Sequence, residues 1–570
     1  MPRYRWIEPT PLDHAGYELA DNLLLSEILA RRGLGDPGAV AAYLAPSLDT
    51  LIDPLSLPDL ALARDLTLRA VERGERIAIF GDYDVDGLTS TALLVRLLRA
   101  VGADVVPYIP HRIDDGYGLK LDAVRCIITE GASLLITVDN GTSSAAELAE
   151  ARRAGLDTIV LDHHAVDSAG DYSWASAFVS PMRPDARLAF RGFAAVGVAY
   201  QLARVVAGDS AAAGLLPLVA LGTVADIVPL ISDNRTLVAV GLERFDADAP
   251  VGLRALAAES GIDLTRVTSW DCGFVLGPRI NAAGRIGNPL IALNLLLTDA
   301  EDEARALARE LNRINSERQA VADRMLAEAE HELQEHAGEL PPVLVLARDD
   351  WGAGVVGLVA SRLVDRYGRP AVVLARNGAI GRGSARSIDG FNISEALSLC
   401  DDMLIEHGGH SKAAGLTVEA ARVGELEKRL GALVCETLGP ELPAPPLRLD
   451  AELSVRELTI ETAHVLRRLE PVGHGNPAPI FLLRNVRPRA ARLTRDGAHV
   501  QFEIADAEGR RGPRAIYFRA GAQLPTFTSG LPVDLAVSLR AATWQGREQL
   551  TVEVVDVRPA TVREHRNSAR

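Results

Sequence analysis

Apolar and polar positions alternate along this chain in distinct rhythms, and each rhythm predicts a different kind of element. Residues 21–44 carry Leu23, Leu24, Ile28 and Leu29, then Val40 and Tyr43, at helical spacing, with a break at residues 33–38. That reads as a short helical lead-in. From residue 77 to about 230, apolar runs end in polar, glycine-containing turns and give way to Ala/Leu-rich helical stretches, as in IAIFGDYDVDG, LLITVDNGT and TIVLDHHA. Strands of a parallel sheet are covered on both faces and read as unbroken apolar runs, so this alternation predicts βαβ units. Residues 299–336 contain neither Gly nor Pro, and Leu307, Leu311, Ile314, Val321, Met325, Ala329 and Leu333 follow one helical face. A long helix, entered at Thr298 or Asp299 as N-cap, should therefore link two lobes. Residues 342–438 return to strand-like runs (PVLVLA, AVVLA) alternating with helices, a second α/β domain. Beyond the proline-rich LGPELPAPP the texture is all β: HVQFEI, RAIYFR, VDLAVSLR and QLTVEVVDVRP alternate as the strands of a small barrel do. The expected division is a lead-in at 1–50, a first α/β domain at 51–245, a helical connector at 246–338, a second α/β domain at 339–440 and a β-barrel at 445–562.

With 570 residues, 48% hydrophobic and 24% charged, the chain can bury several cores, as three or four domains. No run approaches the roughly 18 consecutive apolar residues of a membrane helix. The opening MPRYRWIEPTPLDHAGYELA lacks the apolar stretch of a signal peptide, so the expected address is the cytoplasm, with no membrane partner. Cys126, Cys272, Cys400 and Cys435 lie far apart with no CxxC, which fits reduced thiols and excludes a disulfide framework or zinc ribbon. A net charge of −16 is the wrong sign for a protein that coats nucleic acid, so any nucleic-acid site must be local.

Three aspartates alternate in GDYDVDG (Asp82, Asp84, Asp86) directly after an apolar run. In open parallel sheets ligands bind beyond the C-terminal ends of the strands, and clustered carboxylates there call for a cation to offset their repulsion. An EF-hand also opens with D-x-D-x-D-G, but the Glu it needs at loop position 12 is replaced by Leu93. Alone, the motif leaves a metal site and an ordinary surface loop open. Two more apolar runs end the same way, in Asp139 and in Asp162-His163-His164, and ALGTVADIVPL sets Asp226 among apolar neighbours. Repeated strand-end placement is hard to explain by packing and points to a metal centre.

These four segments resemble, in order and with residues intact, the four motifs of the DHH phosphoesterase superfamily. The resemblance implies that Asp86, Asp139, His163 and Asp226 ligate one divalent cation, while Asp82, Asp84 and a bridging Asp139 hold a second. It implies a catalytic set of His164, Asp84 and Asp139, with His164 near the scissile phosphate, in two-metal hydrolysis. Carboxylate and imidazole ligands without thiolate suit Mn2+ or Mg2+. Within the superfamily, LLSEILARRGL, YLAPSL, PLSLPDLALA, GPRINAAGRIGNP, LNRINSERQ, GRGSARSIDGFNI, GGHSKAAGLT and VGHGNPAPIF resemble RecJ exonucleases, over nearly the whole chain. The implied fold class is α/β, a parallel-sheet DHH phosphoesterase domain joined by a long helix to a second, DHH-associated α/β domain, followed by an OB-fold-like barrel. The implied activity is 5′-to-3′ hydrolysis of single-stranded DNA to mononucleotides, in recombination and mismatch repair, by a monomer working beside a RecQ-type helicase and a single-strand-binding protein. One departure is Gly352 in WGAGVVG, where the family commonly has His, and the sequence ends soon after the β segment, where some relatives continue.

The substrate path should be basic. GRGSARS reads as a glycine-containing loop offering Arg382, Ser384, Arg386 and Ser387, the composition of an anion pocket, which the resemblance associates with the 5′-phosphate end of the strand. GGHSKAAG adds His410 and Lys412, HRIDDGYG adds Arg112 and Tyr117, and the NAAGR segment adds Arg279, Asn281 and Arg285. In the barrel, residues 484–519 contain nine arginines (484, 487, 489, 492, 495, 510, 511, 514, 519) against Asp496, Glu503, Asp506 and Glu508. That excess, with Phe502, Tyr517, Phe518 and Trp544, suits a groove for single strands. A small-molecule phosphodiesterase or pyrophosphatase would share the core but have no use for a basic barrel. A non-catalytic DNA-binding scaffold would be expected to have lost metal ligands, and every ligand position here is occupied.

Overall fold

The computed structural model describes residues 3–10, 19–112, 114–166, 170–335, 340–544 and 547–560, the side chains of 335, 543 and 544 excepted. The chain forms two compact units, one of residues 47–442 with 471–476, the other of residues 1–46 with 443–470 and 477–570.

The larger unit begins with a five-stranded, all-parallel sheet: β2 (Arg76–Phe80), β3 (Asp104–Tyr108), β4 (Ala132–Val138), β5 (Asp157–Leu161) and β6 (Ala177–Val179), ordered β3-β2-β4-β5-β6. Ile77, Ile79, Leu134, Ile136 and Ile159 are buried on these strands, as unbroken apolar runs require when helices cover both faces. The order reverses between β2 and β4, because the chain leaves β2 on one side for β3 and returns on the other. A crevice opens at such a reversal, beyond the strand ends. GDYDVDG and DNGT follow those two strands directly. Asp84 caps the helix Val85–Ala100 by accepting from Gly87 N at 3.1 Å. Gly87 has to be glycine, since a Cβ there would lie 2.6 Å from both the backbone N and O of Asp82.

The connecting helix, Glu301–Glu335, is 35 residues long. It starts just past the expected cap, with Thr298 Oγ1 accepting from Ala300 N at 3.1 Å. Ala308 and Leu311 belong to the core of the parallel sheet, whereas Ala322, Met325, Ala329 and Leu333 belong to the core of the following sheet. One rigid element is thus shared by both cores. The second sheet contains β7 (Leu344–Arg348), β8 (Ala371–Asn377), β9 (Ile380–Arg386), β10 (Leu404–His410) and β11 (Ala413–Glu419), ordered β10-β11-β9-β8-β7 and antiparallel except for β7 with β8. The expected GRGSARS loop is therefore corrected: it is the central strand β9. Gly383 serves sheet packing, because a Cβ there would lie 2.4 Å from Val373 O.

In the smaller unit, β14 (Phe481–Leu493), β15 (Val500–Ala505), β16 (Arg511–Tyr517), β18 (Arg547–Pro559) and β17 (Val533–Trp544) follow one another round a barrel closed by β14 on β17, with β13 (Ala451–Glu452) alongside β14. Residues expected as a separate lead-in belong here instead. β1 (Arg5–Ile7) pairs in parallel with β12 (Pro446–Arg448), and Trp6 Nε1 donates to buried Asp556 at 2.7 Å.

Candidate metal centre and anion pocket

The aspartates and histidines read at the strand ends do come together. Asp82, Asp84 and Asp139 form one group, and Asp86, His163 and Asp226 another, each with ligand atoms within 4.8 Å of one another. His163 Nε2 lies 3.3 Å from Asp139 Oδ1, 3.6 Å from Asp226 Oδ2 and 3.8 Å from Asp86 Oδ2. Asp226 ends the helix Leu216–Ala225, and Asp139 holds a left-handed backbone, φ +60, just past β4. Strained non-glycine backbone of that kind persists where the surroundings impose it.

The electrostatics of this cluster are those of a site built for cations. Burial first, then the charge of Asp84, pushes the Asp86 carboxyl up to about 7, even though it accepts from Ala195 N at 2.7 Å and Val196 N at 2.8 Å. Asp82, Asp139 and Asp226 are raised as well, in each case by burial ahead of neighbouring carboxylates. Burial holds His163 down at about 4, so it is a neutral imidazole with a lone pair to give. Asp82 Oδ1 and Asp226 Oδ2 are buried and accept no hydrogen bond from the protein. Buried carboxylate oxygens without a partner are costly, and divalent cations are the partners that fit this all-oxygen and imidazole set.

His164 is held differently. Its Nδ1 meets Asp162 Oδ1 at 2.7 Å, and Asp162 is fixed in turn by Thr142 Oγ1 (2.6 Å) and His163 N (2.8 Å). Burial works against charge on both groups, yet their mutual contact wins, lowering Asp162 and raising His164. Tyr117 Oη donates to Asp139 O at 3.2 Å and lies 3.4 Å from both His164 ring nitrogens. His410, from β10, stacks on His164 with centroids 6.3 Å apart and planes 19° apart. Asp162 was not among the expected site residues; its signal in the sequence was its place at the head of D-H-H.

A cluster of arginines, Arg112, Arg285 and Arg386, comes together as well. Arg386 Nη1 donates to Ser384 Oγ (2.5 Å) and Ala385 O (2.9 Å), and a Cβ on Gly357, at the start of helix Val356–Tyr367, would come within 2.9 Å of Arg386 Nη2 and 3.1 Å of Ser384 Oγ. Arg112 lies over the Tyr83 ring at 4.8 Å. Arg285 is pulled down to about 9, by burial first and then by Arg112, Arg318 and Arg386, and its buried Nε has no partner. Like charges in low dielectric repel, so these guanidiniums call for an anion. Arg279 is half-buried, its Nη1 donating to Val275 O (2.8 Å) and its Nε to Asn312 (3.1 Å); Asn281 is half-buried on the same helix, Gly277–Ile286.

Two expected members lie elsewhere. Arg382 shares the face of β9 with Ser384 and Arg386, but four residues of strand set it roughly 13 Å from Arg386 along the strand, and it is exposed. Ser387 is buried with its hydroxyl donating to Phe391 O at 2.7 Å, so it braces the turn after β9. In the barrel, Arg484 is absorbed by Glu8 (2.5 Å) and Glu452 (2.8 Å), and Arg510 by Asp506 (2.5 Å) and Glu508 (2.9 Å). Arg489, Arg492, Arg511 and Arg514 remain exposed on β14 and β16, and in register Glu503 of β15 faces Arg489 and Arg514. Phe502 is core, Tyr517 is half-buried against Phe527, Phe518 is exposed, and the Trp544 side chain lies outside the described part.

A parallel sheet that gathers buried carboxylates and a neutral imidazole at its switch point, next to an arginine pocket, defines a metal-dependent phosphoester hydrolase. Known proteins narrow this further: residues 76–223 match the DHH family N-terminal domain, 340–436 the DHHA1 domain and 449–556 the RecJ OB domain. The chain belongs to the RecJ family. It is 37% identical to the single-stranded-DNA-specific exonuclease RecJ of Escherichia coli, over 94% of this chain and 96% of that one. It is 35% identical to that of Bacillus subtilis, over 94% of this chain and 67% of that one. The crystal structure of Thermus thermophilus RecJ in complex with Mn2+ superposes with a TM-score of 0.83 at 32% identity, covering 98% of this chain and 80% of that one. The expected sequence of parallel-sheet domain, DHH-associated domain and OB-type barrel is the one observed.

Proposed function

We propose that the chain degrades single-stranded DNA from its 5′ end, releasing mononucleotides, with two divalent cations, Mn2+ or Mg2+, bound by its carboxylates. The observation that carries the reading is the adjacency of a cluster of buried carboxylates and a cluster of buried arginines, in a member of a family whose relatives bear the name single-stranded-DNA-specific exonuclease. Asp86, His163, Asp226 and Asp139 would hold one ion, and Asp82, Asp84 and Asp139 the other. When bound, the ions would lower the pKa of the attacking water and neutralise the charge that builds on the phosphoryl group. Asp162 holds His164 by Nδ1, which leaves Nε2 to donate to the phosphoryl oxygens. Arg386, Arg285, Arg112 and Ser384 would clamp the terminal 5′-phosphate, and because that pocket neighbours the carboxylates, the bond presented is one close to the end. Supply of the strand by a RecQ-type helicase and a single-strand-binding protein, action as a monomer and a cytoplasmic location belong to the same proposal. No helix among the described residues is long and apolar enough to cross a membrane.

The test is incubation with Mn2+ or Mg2+ and oligonucleotides labelled at either end, carrying 5′-phosphate or 5′-hydroxyl. Mononucleotides should appear from the 5′ end first, with at least about a ten-fold preference for phosphate, since each charge-assisted contact contributes roughly 1.5–3 kcal/mol. Arg386→Ala should erase that preference while Mn2+ binding persists. Degradation from the 3′ end, or hydrolysis confined to dinucleotides, would overturn the reading.

A further inference from the structure

The hydrolytic reading leaves the exposed ring of Phe274, in the larger unit, without a use. Phe274 is 70% and Trp270 49% exposed, and the two stack with centroids 5.8 Å apart and planes 23° apart. Phe274 stands in a π-helical turn, Cys272–Leu276, whose end residues are buried while the phenyl ring between them points outward. Turns of this width recur at functional sites, where they re-aim a side chain. Leaving a phenyl ring in water forgoes strongly favourable burial, so its exposure asks for an occupant.

The position of the turn says which occupant. It packs on the helix that delivers Asp226, for a Cβ on Gly273 would lie 3.3 Å from Val224 Cγ1 and one on Gly277 3.5 Å from Ala225 Cβ. Past Asp226 the surface stays apolar through Ile227, exposed and held at φ +61, and Ile231. A β-branched residue rarely tolerates left-handed backbone. Arg279 donates to Val275 O within the same turn, which ties its guanidinium to the turn's backbone. Flat aromatic faces on a turn that also holds a guanidinium, packed on the helix that delivers Asp226, match the alternation of base and phosphate along a single strand. A base paired in a duplex has no free face to offer.

We propose that Phe274, backed by Trp270, is a stacking platform for an unpaired nucleobase of the bound strand, outside the metal centre. This rests on the single-strand hydrolysis proposed above and adds a source of single-strand selectivity to it. The test is steady-state hydrolysis of single-stranded oligonucleotides of increasing length, and of one long oligonucleotide with an abasic position moved along it. Phe274→Ala should raise KM about ten-fold on long strands with little change in kcat, as loss of one base stack implies. Phe274→Trp should restore it. For wild type one abasic position should raise KM by a similar factor, and for Phe274→Ala that position should make no difference. A wild type inactive on single strands overturns both readings, whereas an active wild type whose KM values Phe274→Ala matches at every length and abasic position overturns the platform alone.

Discussion

Stripping the metal from this protein should expose a pH-dependent instability whose size can be worked out from one carboxylate. Burial, then the charge of Asp84, pushes the Asp86 carboxyl up to about 7 from an ordinary 3.8, equivalent to about 4 kcal/mol. A carboxyl raised on folding contributes stability that is fully present below its unfolded pKa and is lost as pH rises through the folded value. Without cations, Asp86 alone should therefore forfeit about 4 kcal/mol between pH 4 and pH 8, and Asp82, Asp139 and Asp226 are shifted in the same direction. With cations bound, the carboxylates are neutralised and the loss is offset. The assay is calorimetric unfolding of the larger unit, chelated and Mn2+-saturated, at intervals across that range. The gap between the two states should open with rising pH, other titrating groups cancelling because they are common to both. Asp139→Asn should narrow it by removing one of the repelling charges. A gap that stays constant with pH, or a chelated protein more stable at pH 8 than at pH 5, would refute the reasoning.

Asp162→Asn keeps shape but loses the charge that orients His164, so kcat should fall by about 10² or more with KM little changed; a near-normal kcat would remove Asp162 from the mechanism. Arg484→Met removes one of the two arginines beside buried Asp534, which keeps Arg558 (3.1 Å) and Asn485 N (3.0 Å), and should destabilise the barrel by about 2 kcal/mol while sparing DNA affinity. The opposite pattern is expected of the double change Arg489→Ala with Arg514→Ala, which should lower the slope of log K against log salt by about 2 at unchanged stability; weakened DNA binding in the first variant or an unaltered slope in the second would show the two sets of arginines to be misassigned. Glu8 is held down at about 2 by hydrogen bonding to Arg484, with Arg558 adding to it, so its contribution should be present above pH 4.5 and disappear as the pH falls to 2, visible as acid sensitivity of the barrel that Glu8→Gln abolishes.

Much of this was legible in the sequence because buried parallel strands announce themselves. An apolar run that stops abruptly at Asp82, Asp139 or Asp162 marks a strand end, and strand ends at a reversal of order share one crevice. Strand β9 was not legible, since Gly, Ser and Arg have little β propensity, and its place is imposed by neighbours that tolerate no Cβ at residue 383. β1 is three residues long and finds its partner some 440 residues later, a pairing that no local pattern encodes. The arginine count in the barrel could not separate Arg484, bound into ion pairs, from Arg489, because Glu8 and Glu452 approach it only in the folded unit. Phe274 is one more apolar position in the sequence, and only its exposure sets it apart.

The two charged clusters also explain each other. Burial, then mutual repulsion, raises the carboxyls of Asp82 and Asp86 and lowers the guanidiniums of Arg285 and Arg386, yet neither set forms a salt bridge with the other among the described residues. Arg285 senses Asp84 only as a minor influence behind burial and three other arginines. Had the clusters met, each would have neutralised the other and left a stable, inert core. Kept apart by Tyr83, whose ring carries Arg112 on its face while its backbone links Asp82 to Asp84, they stay separately unsatisfied. On the proposed function a cation would relieve one and a phosphate the other, and a phosphodiester would bring its negative oxygens to both. Cation and substrate affinities should then be reciprocally coupled, since each ligand neutralises charge that the other experiences. Titrating Mn2+ against Asp84→Asn, which cannot turn over normally, with and without a 5′-phosphorylated oligonucleotide gives the coupling directly. Tighter Mn2+ binding in the presence of the oligonucleotide is expected, and Arg285→Met should diminish that gain without altering Mn2+ affinity in its absence; equal affinities in all four conditions would show the clusters to be independent.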